Sequence, residues 1–138
     1  MHLLRTVPGG FVDDTAGVVR IDQRPADIVV MSSADTTLSL LASVVERLGA
    51  GFPTLRLANM TYLRQPASID FYIDDVLQHA RVIVVDHLGG EAYWPYGIER
   101  LVELARRRKQ TLVMFSGDLQ EDENLVAKST ADAAFTRL

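Results

Sequence analysis

The chain has 138 residues, 48% of them apolar and 23% charged, which suits one folded domain with its own core rather than a disordered segment. Its formal net charge of −4, with acidic and basic residues interspersed, excludes the net basic face that a nucleic-acid surface needs. Cysteine is absent, which excludes disulfides, thiolate zinc sites and a cysteine nucleophile, and no apolar run approaches the roughly 18 residues of a membrane span.

In chain order, residues 2–7 and 17–21 read as short strands, with turn formers at Pro8-Gly9-Gly10 and at Asp13-Asp14-Thr15-Ala16-Gly17. Residues 1–26 are therefore expected to form an N-terminal β-hairpin or lid at a sheet edge, and 27–138 an α/β domain. The first residues have no extended apolar core behind them and so do not read as a secretory signal, and the expected location is cytoplasmic. Pro25 restricts Arg24, and the chain enters a buried strand at 27–32 around Ile28-Val29-Val30-Met31. Ser33 or Asp35 is placed to cap the next helix, whose apolar positions Leu38, Leu41, Val45 and Leu48 fall at three- and four-residue steps before Gly49 and Gly51 stop it. Leu40 and Val44 widen that stripe, as a helix packed on a sheet requires.

A second strand is expected at 54–58 and a loop at 59–66. Ser68 then stands where a helix N-cap would, and Ile69, Tyr72, Ile73, Val76, Leu77 and Ala80 make one continuous stripe. The β-branched run Val82 to Val85 has the pattern of a strand covered on both faces in a parallel sheet. After it come Asp86, His87, a Gly89-Gly90 pair and the aromatics Tyr93, Trp94 and Tyr96. A helix begins at Pro95 and runs along Ile98, Leu101, Val102 and Ala105 to a basic run at 106–109, where cations offset the helix dipole. A fourth strand at 111–115 ends in Ser116-Gly117-Asp118, and an acidic run leads into a short helix around Leu125-Val126-Ala127. Strand and helix alternate, which predicts an α/β fold: a parallel four-stranded sheet flanked by helices, a flavodoxin-like or Rossmann-like half-fold preceded by the hairpin.

Right-handed crossovers bring the loops after all four strands to one edge, where open α/β sheets bind ligands. That edge collects Ser32, Ser33, Asp35, Asn59, Asp86, His87, Glu91, Ser116 and Asp118. Strand ends and helix caps account for such polar groups as readily as a site does. Asp86 and His87 are adjacent on a strand and point to opposite faces, so they do not form a two-ligand metal site by themselves. No metal site is assigned. Tyr93, Trp94 and Tyr96 suit the wall of a large flat ring, and equally a staple between loop and helix or an anchor for another domain. The ligand-binding candidates are thus His87, Glu91, Tyr93, Trp94 and Tyr96, with Asp35 and Asp118 beside them. There is no P-loop, no Gly-x-Gly-x-x-Gly pattern and no Gly-x-Ser-x-Gly elbow, and the spacing of Asp86 and His87 does not match the Asp-x-His-x-x-Gly pattern of corrinoid-binding domains. No catalytic residue is assigned.

The strings HLLRTVPGG, DIVVMSSAD, LRLANMTYLRQPASID, LGGEAYWPYGIE and FSGDLQEDENLVAKST occur in this order along the chain. Together they resemble the N-terminal part of the large subunit of aerobic, ATP-dependent cobaltochelatase, the CobN type, and the run from Gly89 to Gly97 is the most specific part. The resemblance implies a share in inserting Co²⁺, as substrate ion, into hydrogenobyrinic acid a,c-diamide during aerobic cobalamin biosynthesis. It further implies as partners the rest of a larger subunit, the corrin substrate and two chelatase subunits related to AAA+ ATPases, which hydrolyse ATP. Neither nucleic acid nor a membrane is an expected partner, and the isolated chain is expected to be inactive. The alternatives are a non-catalytic docking or scaffold module and an independent flavodoxin-like small-ligand binder.

Overall fold

The computed structural model describes residues 11–15, 17–87, 93–116 and 123–130. Two antiparallel strands open it, β1 (Phe11–Thr15) and β2 (Val18–Asp22), with Asp13 opposite Arg20 and Thr15 opposite Val18. A hairpin is present, but the second half of its first strand, Asp13 to Thr15, lies in residues that read as turn formers, and the strand expected at 2–7 lies outside the described residues. An isolated two-stranded ribbon has no second layer of its own to bury a face, so the segment after it must be fastened to the domain. Val19 N–H donates to the buried hydroxyl of Ser68 at 2.8 Å, and Arg20 grips Asp75 through two nitrogens while its guanidinium lies 4.6 Å from the centre of the Phe71 ring.

The main sheet contains β3 (Ile28–Ser32), β4 (Leu55–Asn59), β5 (Val82–His87) and β6 (Thr111–Ser116), all parallel, in the order β4-β3-β5-β6. The expected half-fold is the observed one. Helix α1 (Asp35–Leu48) links β3 to β4 on one side, whereas α2 (Pro66–Asp75) and α3 (Pro95–Arg108) carry the chain the other way, so right-handed crossovers put α1 on one face and α2 with α3 on the other. A short helix, α4 (Glu123–Lys128), follows β6.

Strand side chains divide accordingly. In register, Val29, Ile83 and Leu112 form one row and Met31, Val85 and Met114 the next, all with no exposed surface, beneath Ile69, Tyr72, Ile98 and Leu101 of α2 and α3. On the α1 face, Ile28, Val30, Val82 and Val84 are only half-buried. The core is lopsided.

Four local expectations need correction. Ser68 is not an N-cap: Gln65 holds that position with Pro66 at the first turn, and Ser68 is buried inside the helix as the acceptor for β2. Neither Ser33 nor Asp35 caps α1, whose N-cap is Ala34 with its N–H bound to Ser32 Oγ. The long stripe through Ala80 is not one helix, since the chain breaks at Val76 (φ −133°) and finishes in a 3₁₀ turn, Leu77–His79. Leu40 and Val44 do not join the sheet-facing stripe of α1, being 65% and 41% exposed.

Candidate functional site

The segment expected as a loop after β4 begins with a 3₁₀ turn, Met60–Leu63, that buries Met60 and Leu63. Asn59 starts it by accepting the N–H of Thr61 (2.9 Å) and its hydroxyl (2.7 Å), while its amide donates to Asp35 at 2.6 Å. This turn places Met60, Thr61 and Arg64 opposite the end of β5. Between them and the start of α3 lies a recess of about 470 Å³, lined also by Ser33, His87, Tyr93, Trp94 and Tyr96.

His87 is buried and shares its sheet face with Ile83 and Val85, so its ring goes toward α2 and α3, 6.1 Å from the indole of Trp94 at an angle of 55°. Asp86 faces the other way and accepts the hydroxyl of Ser32 at 2.9 Å. The strand alternation therefore separates the two groups, and the Ser32–Asp86 pair braces β3 against β5 at their ends. Trp94 is only 5% exposed; its indole N–H donates to the carbonyl of Leu63 at 3.0 Å, and its rings occupy the space where a Cβ on Gly97 would stand. It presents an edge to the recess and gives its body to the core.

Tyr93, at 77% exposure, and Tyr96 supply open aromatic surface. The Tyr96 hydroxyl donates to both oxygens of Asp70 (3.0 and 2.9 Å), and this hydrogen bond is the first cause that pushes its pKa upward. Asp70 also receives Arg100 Nε at 3.0 Å, which holds the guanidinium more firmly protonated. Tyr96 thus ties α3 to α2 while one side of its ring stays available. Asp35 lines a larger groove beside α1 rather than this recess. Glu91 and Asp118 lie outside the described residues. Among the described residues, no three His, Asp or Glu side chains stand close enough to share one ion.

Chemically, the recess offers flat apolar contact from Tyr93 and Tyr96, a thioether at Met60, and a guanidinium at Arg64 suited to a carboxylate. Sequence reasoning passed over Met60, Thr61 and Arg64 because the stretch read as an irregular loop. The three-residue step between the apolar Met60 and Leu63 was the signal available, and both side chains are buried.

The subunit named aerobic cobaltochelatase subunit CobN from Pseudomonas aeruginosa is 47% identical over 127 residues, which is 92% of this chain and 10% of that protein. The chain is homologous to part of CobN. The CobN subunit from a Sinorhizobium species is 36% identical over 133 residues, which is 96% of this chain and again 10% of the relative. This CobN-like chain therefore spans about a tenth of the length of the curated relatives it matches. In fold it superposes on the catalytic subunit of cobaltochelatase from Mycobacterium tuberculosis with a TM-score of 0.58 and 23% identity, covering 80% of this chain and 8% of that one. No family model matches the CobN-like chain. None of its described helices is long and apolar enough to cross a membrane.

Proposed function

We propose that this chain acts as one domain of a CobN-type large subunit in cobalt chelation for cobalamin biosynthesis. The observation that carries the reading is the 47% identity, maintained across 92% of the chain, with a curated CobN subunit. In the finer form of the proposal, the assembly drives Co²⁺ into hydrogenobyrinic acid a,c-diamide with ATP hydrolysed by two AAA+-related partner subunits, acting in the cytoplasm. Cobalt is substrate here. The chain contributes binding surface rather than the chemistry of insertion, and alone it has no activity.

Insertion requires the ring to lose protons and bend while the ion sheds water, so the ring must be held by its faces and its acidic arms. The recess beside β5 supports that role. Tyr93 and Tyr96 offer one aromatic wall and Arg64 a cation for a carboxylate arm. A recess of about 470 Å³ takes the edge of a macrocycle rather than enclosing it, so another domain must supply the opposite wall.

The chain has one tryptophan, and it borders the recess. Titrating hydrogenobyrinic acid a,c-diamide while following Trp94 fluorescence tests the reading, with saturable quenching as the expected result. No response from the chain, beside clear binding by the Pseudomonas aeruginosa relative, would remove the ring wall and leave a scaffold role. The burial of Trp94 favours that second reading, since most of the indole serves packing.

A further inference from the structure

Helix α1 is built unlike a helix that faces water. None of its residues is buried, whereas α2 and α3 each bury a full stripe. Leu38, Leu41 and Val45 are half-buried over the sheet, Leu40 and Val44 turn outward at 65% and 41% exposure, and Leu48 at the end of the helix is 47% exposed. Between Asp35 and Glu46 the helix carries no charge at all. In α3, by contrast, the outer face is laced with Glu99, Arg100, Glu103 and the arginines to Arg108, with ion pairs from Glu103 to Arg100 and Arg107. A solvent-facing helix normally shows the α3 pattern, and loss of charge with retention of large apolar groups is the mark of an interface centre.

The surroundings leave further apolar surface open on this side of the sheet, although Leu40, Val44 and Leu48 do not line the groove there. A groove of about 1140 Å³ runs between α1 and the edge strand β4, with Ala42, Phe52, Pro53 and Leu55 along it. Phe52 and Tyr62, which also line it, are 38% and 46% exposed. Across four parallel strands, which need about two helices to cover each face, α1 is the one long described helix on this side, and Ile28, Val30, Val82 and Val84 stay half-buried.

We propose that the α1 face, centred on Leu40 and Val44, is the surface on which another domain of the CobN-type subunit docks. The inference rests on the CobN reading above, and it commits to the large subunit because the relatives carry ten times this length and this fold occupies only 8% of the mycobacterial catalytic subunit. The occupant presents a weakly charged, apolar surface to match. It does not use the aromatic recess, which lies at the strand ends near α3 and remains open for ligand.

Because the chain has no cysteine, Leu40→Cys places one thiol at the centre of the face and Glu99→Cys one on the charged face of α3. Maleimide labelling, resolved by peptide mass spectrometry, is compared between the isolated chain and a chimera in which the chain replaces the matching part of the Pseudomonas aeruginosa subunit. Labelling at position 40 is expected to slow about tenfold or more in the chimera while position 99 changes little. Equal rates at position 40, or equal slowing at both positions, would overturn the proposal. So would protection in the isolated chain that grows with its own concentration, since a second copy would then be the occupant. Independently, Leu40→Glu is expected to leave the urea midpoint of the isolated chain in place, and a clear loss would assign Leu40 to the domain's own core instead. Corrin binding by the same chimera is scored separately: an active chimera with position 40 freely labelled sinks the docking surface alone, and an inactive one with position 40 protected sinks the functional reading alone.

Discussion

Trp94 and Leu63 are joined across 31 positions of sequence by a 3.0 Å hydrogen bond from the indole N–H to the backbone carbonyl. The bond fixes the entry to α3 against the 3₁₀ turn after β4 and so sets the width of the recess. Trp94→Phe keeps the apolar bulk but leaves a buried carbonyl without its donor, which costs about 1–3 kcal/mol. Gly97→Ala drives a methyl into the indole and costs a similar amount by overpacking, about 1–3 kcal/mol. Urea unfolding is the measurement. Variants as stable as the parent would show that the indole is not holding this corner together.

How far the sequence foretold this arrangement depended on what each residue was paired with. The β-branched runs at Ile28 and Val82 announced strands of a parallel sheet, although only the face toward α2 and α3 is fully buried, and the α/β alternation with right-handed crossovers then left few topologies open. Apolar periodicity reports burial rather than helix type, so the break at Val76 went unseen: Leu77 is buried equally well by a 3₁₀ turn. At the site, His87, Tyr93, Trp94 and Tyr96, close in sequence, do line one recess, whereas Asp35 lines the groove beside α1, because strand ends share an edge without sharing a face. Asp35 is instead held by Asn59 on the α1 side. The outward turn of Leu40 was not readable at all, since a stripe of leucines looks the same whether its partner lies in this domain or in another.

The hairpin is pinned through Ser68, whose hydroxyl accepts the Val19 N–H inside the domain. Ser68→Ala leaves that donor buried and unpaired, and a loss of about 1–3 kcal/mol follows. Ser68→Thr, which keeps the hydroxyl, should lose less. Amide exchange at Val19 is expected to quicken in the alanine variant more than at Ile83 in the central strand. Uniform acceleration would mean that the contact serves global stability and not the hairpin in particular.

Tyr72 is buried beneath the sheet, its hydroxyl donating to Gln23, which in turn donates to the carbonyl of Leu57 at 3.0 Å. Burial pushes the phenol pKa up, with a smaller opposing pull from Arg56. The folded chain therefore keeps a proton that the unfolded chain releases above about pH 10. Its contribution is fully present below that pH and is lost as pH rises toward the folded value, with stability falling by about 1.4 kcal/mol per pH unit for this one group. Urea unfolding across pH 8 to about 11 checks the slope. Tyr72→Phe should flatten it, and an unchanged slope would place the alkaline sensitivity elsewhere.

Tyr93 offers the sharpest separation between folding and ligand binding. At 77% exposure it contributes little to the core, so Tyr93→Ala should change stability by less than about 0.5 kcal/mol. If the recess holds the rim of a corrin ring, the same change removes stacking worth about 0.5–1.5 kcal/mol and weakens binding by about two- to tenfold. Arg64→Ala, in the same recess, should weaken a carboxylate-bearing ring but not its fully amidated analogue. Fluorescence titration with the two rings distinguishes these effects, because only the charged ring depends on Arg64 while both depend on Tyr93. Should neither substitution alter affinity for either ring in the chimeric subunit, the recess beside β5 is not where the macrocycle rests.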